Sequence, residues 1–237
     1  MQRPTRSIAA GGLRSLIRRS LSLIRNLAAA LATAACILSS AADRAQAHPH
    51  VWVTMRSELL YAADGSVTGV RHAWTFDDMF SAFALEGIAH KKNGAYTREE
   101  LAPLAEVNVT SLKEYGYFTR AWADHKKVKI SDPVDYWLEY ADSTLTLHFT
   151  LPFQTAVAVK TVRFDIYDPT WFVDFTFAEK DPVALVGAKP ECKLGLQQPD
   201  GFNVSQSQPL SEAFFNSLSA GSSFGAQFAN KVTVQCP

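Results

Sequence analysis

Two histidines flank a proline at residues 48–50, within Gln46-Ala47-His48-Pro49-His50-Val51-Trp52-Val53. Imidazole is a ligand for Zn, Ni, Co and Cu, and spacing decides how two imidazoles act together. If the chain begins at His48, its free α-amine and its ring chelate one ion, as in a histidine brace. The amino-terminal copper or nickel square that uses backbone nitrogens is blocked, because Pro49 has no N–H to lose. If the segment is extended, residues i and i+2 share a face. His48 and His50 then act as paired side-chain ligands, completed by a more distant residue. The plain alternative is an exposed strand start with no ligand. His72 is a third candidate, because it lies on the strand expected to pair with Val51–Leu59. Equally, a lone histidine facing Trp74 is a packed one. His148 sits inside an alternating strand, and His90 and His125 fall in loops.

Three other motifs are weaker. Residues 89–100 outline a calcium loop, with Asn93, Gly94 and Glu100 at positions 5, 6 and 12. Ala89 and Lys91 stand where carboxylates are needed, so no calcium is expected. Gly221-Ser222-Ser223-Phe224-Gly225 matches G-x-S-x-G, but no strand precedes it and no His or Asp follows to complete that triad. Asp77, Asp168 and Asp174 stand beside aromatic strands. Asp77 reads as a helix cap, Asp168 as a turn residue and Asp174 as a solvent-facing strand residue, each with a possible place in a site. No phosphate-cradling loop or dinucleotide fingerprint is present.

The elements that position these residues follow from patterning. Residues 1–25 hold six arginines and no acid, an apolar run spans Leu27–Leu38, and Ala45-Gln46-Ala47 is an A-x-A site. This is the layout of a cleaved secretory signal, with an apolar run shorter than the roughly 20 residues of a membrane span. Ile17-Arg18-Arg19-Ser20-Leu21 fits a twin-arginine signal poorly, so the ordinary route is expected, and Cys36 goes with the leader. Cleavage after Ala47 leaves 190 of the 237 residues as one exported, periplasmic domain, 48–237. The leader takes seven of the 23 basic residues and one of the 23 acids, so the remainder carries net −6. That balance argues against nucleic acid as a partner and against a membrane-surface protein. Only Cys192 and Cys236 remain, and in an oxidising compartment they are expected to form a disulfide.

Alternation predicts a hairpin from 51–59 and 67–76 around Asp64-Gly65. Two helices are expected over 78–88 and 97–115, the second opened by the capping box Thr97-Arg98-Glu99-Glu100. Three further hairpins are expected: 118–123 with 127–131, 134–140 with 144–151, and 159–167 with 171–177. Short strands near Cys192 and at 231–236, with a helix at 211–219, complete an α+β domain. It is mainly antiparallel and sandwich-like, with a helical hairpin inserted at about 77–116.

Several segments in this order carry a resemblance. They are the leader ending at Ala47, His48-Pro49-His50-Val51-Trp52-Val53, Trp74-Thr75-Phe76-Asp77-Asp78-Met79-Phe80-Ser81, Glu99-Glu100-Leu101-Ala102-Pro103-Leu104-Ala105, Tyr167-Asp168-Pro169-Thr170-Trp171 and Asp181-Pro182-Val183-Ala184-Leu185. Together the sequence resembles the bacterial domain-of-unknown-function family 1007. Its members are described as exported periplasmic proteins, often labelled components of uncharacterised ABC-type transport systems. They commonly accompany nickel/cobalt-efflux-type permeases, and some are linked to zinc handling. Relatives often carry an acidic calcium-like loop where this chain has Ala89-His90-Lys91-Lys92-Asn93-Gly94. The resemblance implies metal trafficking, of zinc, nickel or cobalt, and with the histidines read above the expected function is a non-enzymatic accessory or binding component of a Zn, Ni or Co transport system. Its expected partner is an inner-membrane metal permease or ABC-type transporter, and His48, His50 and His72 are the expected ligands. The alternatives are a histidine-brace copper oxidase and a metal-free permease partner or solute-binding protein.

Overall fold

A computed structural model describes residues 49–89, 95–199 and 212–237. His48 and His90, the leader and the calcium-like positions 90–94 lie outside the described residues. Strand β1 (Val51–Tyr61) alternates strictly: Val51, Val53, Met55, Ser57 and Leu59 are buried, while Trp52, Thr54 and Arg56 face out. Gly65 takes φ +83° in the turn, where Asp64 accepts from both the N–H and the hydroxyl of Ser66. β2 (Val67–Phe76) returns with Val70, His72, Trp74 and Phe76 inward. Gly69 is required there, because a Cβ would lie 2.5 Å from the Leu151 carbonyl oxygen.

Helix α1 (Asp78–Ala84) is capped by Asp77, whose Oδ1 accepts from Phe80 N at 2.8 Å. Helix α2 (Arg98–Leu112) opens with both bonds of the Thr97–Glu100 box. It buries Leu101, Ala105 and Val109 against β5 (Val134–Ala141), while α1 packs against β6 (Thr144–Val157). Both helices are shorter at their C-termini than the periodicity predicts. β3 (Thr119–Ala123) and β4 (Lys126–Val128) form one hairpin, and β5 with β6 another. Their two-residue turns, Asp124-His125 and Asp142-Ser143, have positive φ at both positions, which suits the twist of a tight hairpin.

The expected third hairpin is not one. β7 (Thr161–Ile166) pairs with β3 and with β11 (Asn230–Gln235), whereas β8 (Val173–Phe177) pairs parallel to β1 in the other sheet. The linker crosses between sheets because Asp168 gathers it locally. Its Oδ1 accepts from the N–H and hydroxyl of Thr170, and its Oδ2 from the N–H groups of Phe172 and Val173. β9 (Val183–Val186), unforeseen from periodicity, also runs parallel to β1. β10 (Lys193–Gln197) pairs with β11, and the short helix α3 (Glu212–Asn216) precedes a 3-10 turn at Phe224–Phe228.

One sheet is ordered β5-β6-β2-β1-β8 with β9 beside β1; the other is β10-β11-β7-β3-β4. The fold is α+β, mainly antiparallel and sandwich-like. Trp74, Phe149 and Leu147 from one sheet share the core with Phe164 and Val232 from the other and with Phe118, just before β3. Each such side chain contributes about 1.5–3 kcal/mol through burial. Cys192 and Cys236 are joined, tying the edge strand β10 to β11. Closing that loop constrains the unfolded chain by about 4 kcal/mol in the chain-entropy view. Residues 47–237 cluster as one unit that holds this core and the disulfide.

Candidate functional site

β1 enters the sheet at His50. Its backbone N–H and that of Val51 donate to the Phe172 carbonyl at 2.9 and 3.3 Å. The exposed His50 ring rests against the Phe172 ring, with centroids 4.8 Å apart. Phe172 and Trp52 are each 45% exposed, so the rim presents aromatic surface to solvent around the imidazole. Asp77 fixes this entry from the other side: while its Oδ1 caps α1, its Oδ2 accepts from Trp52 N at 2.9 Å.

Asp174 stands opposite Trp52 in the β1–β8 register, on the outward side of both strands. Strand geometry puts its Cα about 8 Å from that of His50, within reach of a shared ion. Burial pushes the Asp174 carboxyl above its ordinary range, opposed by the Phe175 N–H. The loop carrying Phe172 is rigid for the reason already given: the buried Asp168 carboxylate accepts four hydrogen bonds. Gly225 backs it, since a Cβ there would lie 1.6 Å from the Asp168 carbonyl oxygen. The G-x-S-x-G resemblance is therefore a close-packing glycine. A cleft of about 380 Å³ opens beside this loop, lined by Tyr115, Phe118, Thr170, Phe172 and Phe215.

His72 is elsewhere. It pairs with Ser57, seven residues along β1 from His50, a distance of roughly 23 Å. It is 1% exposed and packs against Trp74 and Phe149, with Phe164 of the opposite sheet edge-on. Its Nδ1 is 2.9 Å from Ser57 Oγ and its Nε2 is 3.2 Å from Thr119 Oγ1. Thr119 donates its one hydroxyl proton to the Tyr117 carbonyl, so Nε2 carries the imidazole proton and Nδ1 accepts from Ser57. Burial lowers its pKa to about 3. His72 is thus a neutral tie between the sheets. The expectation that hairpin pairing brings it to His50 is corrected by the register.

His148 is a third type. It stacks on Trp137 at 3.9 Å, and Arg98 covers the Trp137 ring at 4.5 Å. Glu139 lies 3.2 Å from its Nε2. Burial lowers the His148 pKa, and Glu139 opposes that shift. His125 occupies a turn. Among the described residues, no three His, Cys, Asp or Glu side chains are grouped so as to hold a metal ion.

Strand parity signals that Asp174 faces out. Its nearness to His50, and the parts played by Phe172 and Asp168, depend on the parallel pairing and carry no local signal.

The chain is similar to two uncharacterised proteins. One, from Haemophilus influenzae, is 25% identical over 199 residues, covering 80% of this chain and 91% of that protein. The other, an uncharacterised 15.5 kDa protein in the trpE 3′ region of Spirochaeta aurantia, is 33% identical over 94 residues. That match covers 39% of this chain and 67% of that protein. The model of one family matches residues 31–236, a span that includes every strand of the sandwich, and the chain belongs to that family, described as a protein of unknown function (DUF1007).

Proposed function

We propose that this protein is an exported, non-enzymatic accessory protein that carries a divalent transition metal, Zn, Ni or Co, beside a membrane permease. His48 and His50 are the ligands, and Asp174, on the outward side of the neighbouring strand, is the carboxylate that completes the set. The observation that supports this most is the placement of His50. It sits exposed on a strand entry held by two backbone bonds and by Asp77, so its ring is presented at the surface from a fixed backbone. Imidazole nitrogen with one carboxylate oxygen is a donor set suited to these metals rather than to calcium. His72 is left out of the set, being sealed and bonded at both nitrogens.

Calorimetric titration of residues 48–237 with Zn, Ni and Co is the test. Replacing both His48 and His50 with Ala is expected to weaken binding by about a hundredfold, and Asp174→Asn by about tenfold. Affinity unchanged in the double variant overturns the assignment. One-to-one copper with reductant-dependent oxygen consumption replaces it with the oxidase reading.

A further inference from the structure

The five strands of the β10-β11-β7-β3-β4 sheet hold six cations, Arg120, Lys126, Lys127, Arg163, Lys193 and Lys231, against one acid, Asp165. The strands of the other sheet hold two cations and four acids. The exported domain as a whole is net −6, so charge is segregated onto one face.

Register places the cations. Ala121, Val162, Phe164, Val232 and Val234 point into the core. Arg120, Arg163 and Lys231 therefore point out, as does Lys127 opposite Trp122. Lys193, opposite Gln235, shares that side. Neighbouring strands lie about 4.8 Å apart and alternate residues about 7 Å apart, so the charges are spread across the face, around a hollow of about 330 Å³ lined by Trp122, Thr161, Arg163 and Thr233. Two are fixed: the Arg120 guanidinium lies over Tyr167 at 4.2 Å and that of Arg163 over Trp122 at 4.1 Å. Asp165 is buried among Arg163, Lys231 and Arg120 and offsets one of them.

We infer that this sheet face docks the domain on an anionic lipid bilayer. Spread cations match a planar charged surface, whereas a single small anion calls for convergence on one point. Among these five strands, the other outward positions hold Thr161, Thr233, Gln235, Gly195 and Gln197, and the two aromatic rings lie beneath guanidiniums. The exposed Leu194 and Leu196 of the edge strand β10 lie opposite Val234 and Val232, on the reverse side, so the charged side itself carries no apolar anchor of the kind a protein interface is built around. The acidic remainder of the domain is repelled by the same surface, which sets the orientation. This inference does not rest on the metal site.

The test is co-sedimentation of residues 48–237 with vesicles of phosphatidylcholine, with and without phosphatidylglycerol. Binding is expected only with phosphatidylglycerol at about 0.05 M salt, and is expected to be lost at about 0.5 M. Arg163→Glu with Lys231→Glu is expected to lower the bound fraction more than about tenfold, and Lys180→Glu, off this face, to leave it unchanged. Lys127→Glu with Lys193→Glu is a second variant, at two exposed sites, in case loss of the Arg163–Asp165 pair unfolds the protein. Equal binding to neutral vesicles, binding that survives salt, or binding that both double variants retain overturns the inference. So does capture of a soluble acidic protein without vesicle binding.

Discussion

His50 leads into one strand of a hairpin and His72 lies on the other, and nothing else about them is alike. His50 stands on an open rim, with its ring on Phe172 and its backbone pinned by a loop that crosses from the other sheet. His72 is sealed in the middle of the sandwich, where both nitrogens meet hydroxyls, one of them from the facing sheet. The difference teaches that residue type does not select a role; access to water and the neighbouring lone pairs do. A buried imidazole that must stay neutral is a structural element, whereas an exposed one can exchange water for a metal.

The largest expected effect sharpens the sealed half. His72→Ala removes a ring and leaves the Ser57 and Thr119 hydroxyls without it, so unfolding free energy is expected to fall by about 4 kcal/mol. The same residue gives a pH signature. Its pKa is about 3 folded and near 6.5 unfolded, so the unfolded chain binds the extra proton between those values. Its contribution is complete above pH 6.5 and is lost as the pH falls toward 3, by on the order of 5 kcal/mol. Urea titrations across that window are expected to show the slope in the natural protein and a flatter one in His72→Gln. Equal slopes would falsify the neutral-tie assignment.

Asp168→Ala comes next. It strips an acceptor from four donors in the loop that carries Phe172, at an expected cost of about 3 kcal/mol in thermal unfolding. Because His50 leans on that loop, metal affinity is expected to weaken too. A stability loss with affinity intact would break the link between rim and loop. The smallest effect is at the rim itself. His50→Ala is expected to change stability by no more than about 0.5 kcal/mol, as exposed positions do. A drop of several kcal/mol on calorimetric unfolding would show that His50, like His72, is there for the fold.

Much of the framework was legible in the sequence because its causes are local. Alternation in 51–59 and 67–76 gave the faces of β1 and β2. Thr97 and Glu100 announced the start of α2, since a capping box is written within four residues. Cys192 and Cys236 were paired by counting cysteines, with Cys36 assigned to the expected leader, and they are joined. Asp77 announced a cap, although its second bond, to Trp52, was not visible. The 159–177 stretch misled because a hairpin is defined by pairing: Asp168 folds its linker into a crossover, and two apolar runs beside a turn look the same either way.

By itself, then, the sequence determined the strand faces, the tight turns, the helix starts and the disulfide, all set by bonds and sterics within a few residues. Tertiary structure alone decided that β8 and β9 run parallel to β1, that Asp174 stands near His50, and that His72 is closed off. It also decided that the cations gather on one sheet. These depend on which distant strands bury their apolar faces together, a choice made by packing across the whole core rather than by spacing along the chain.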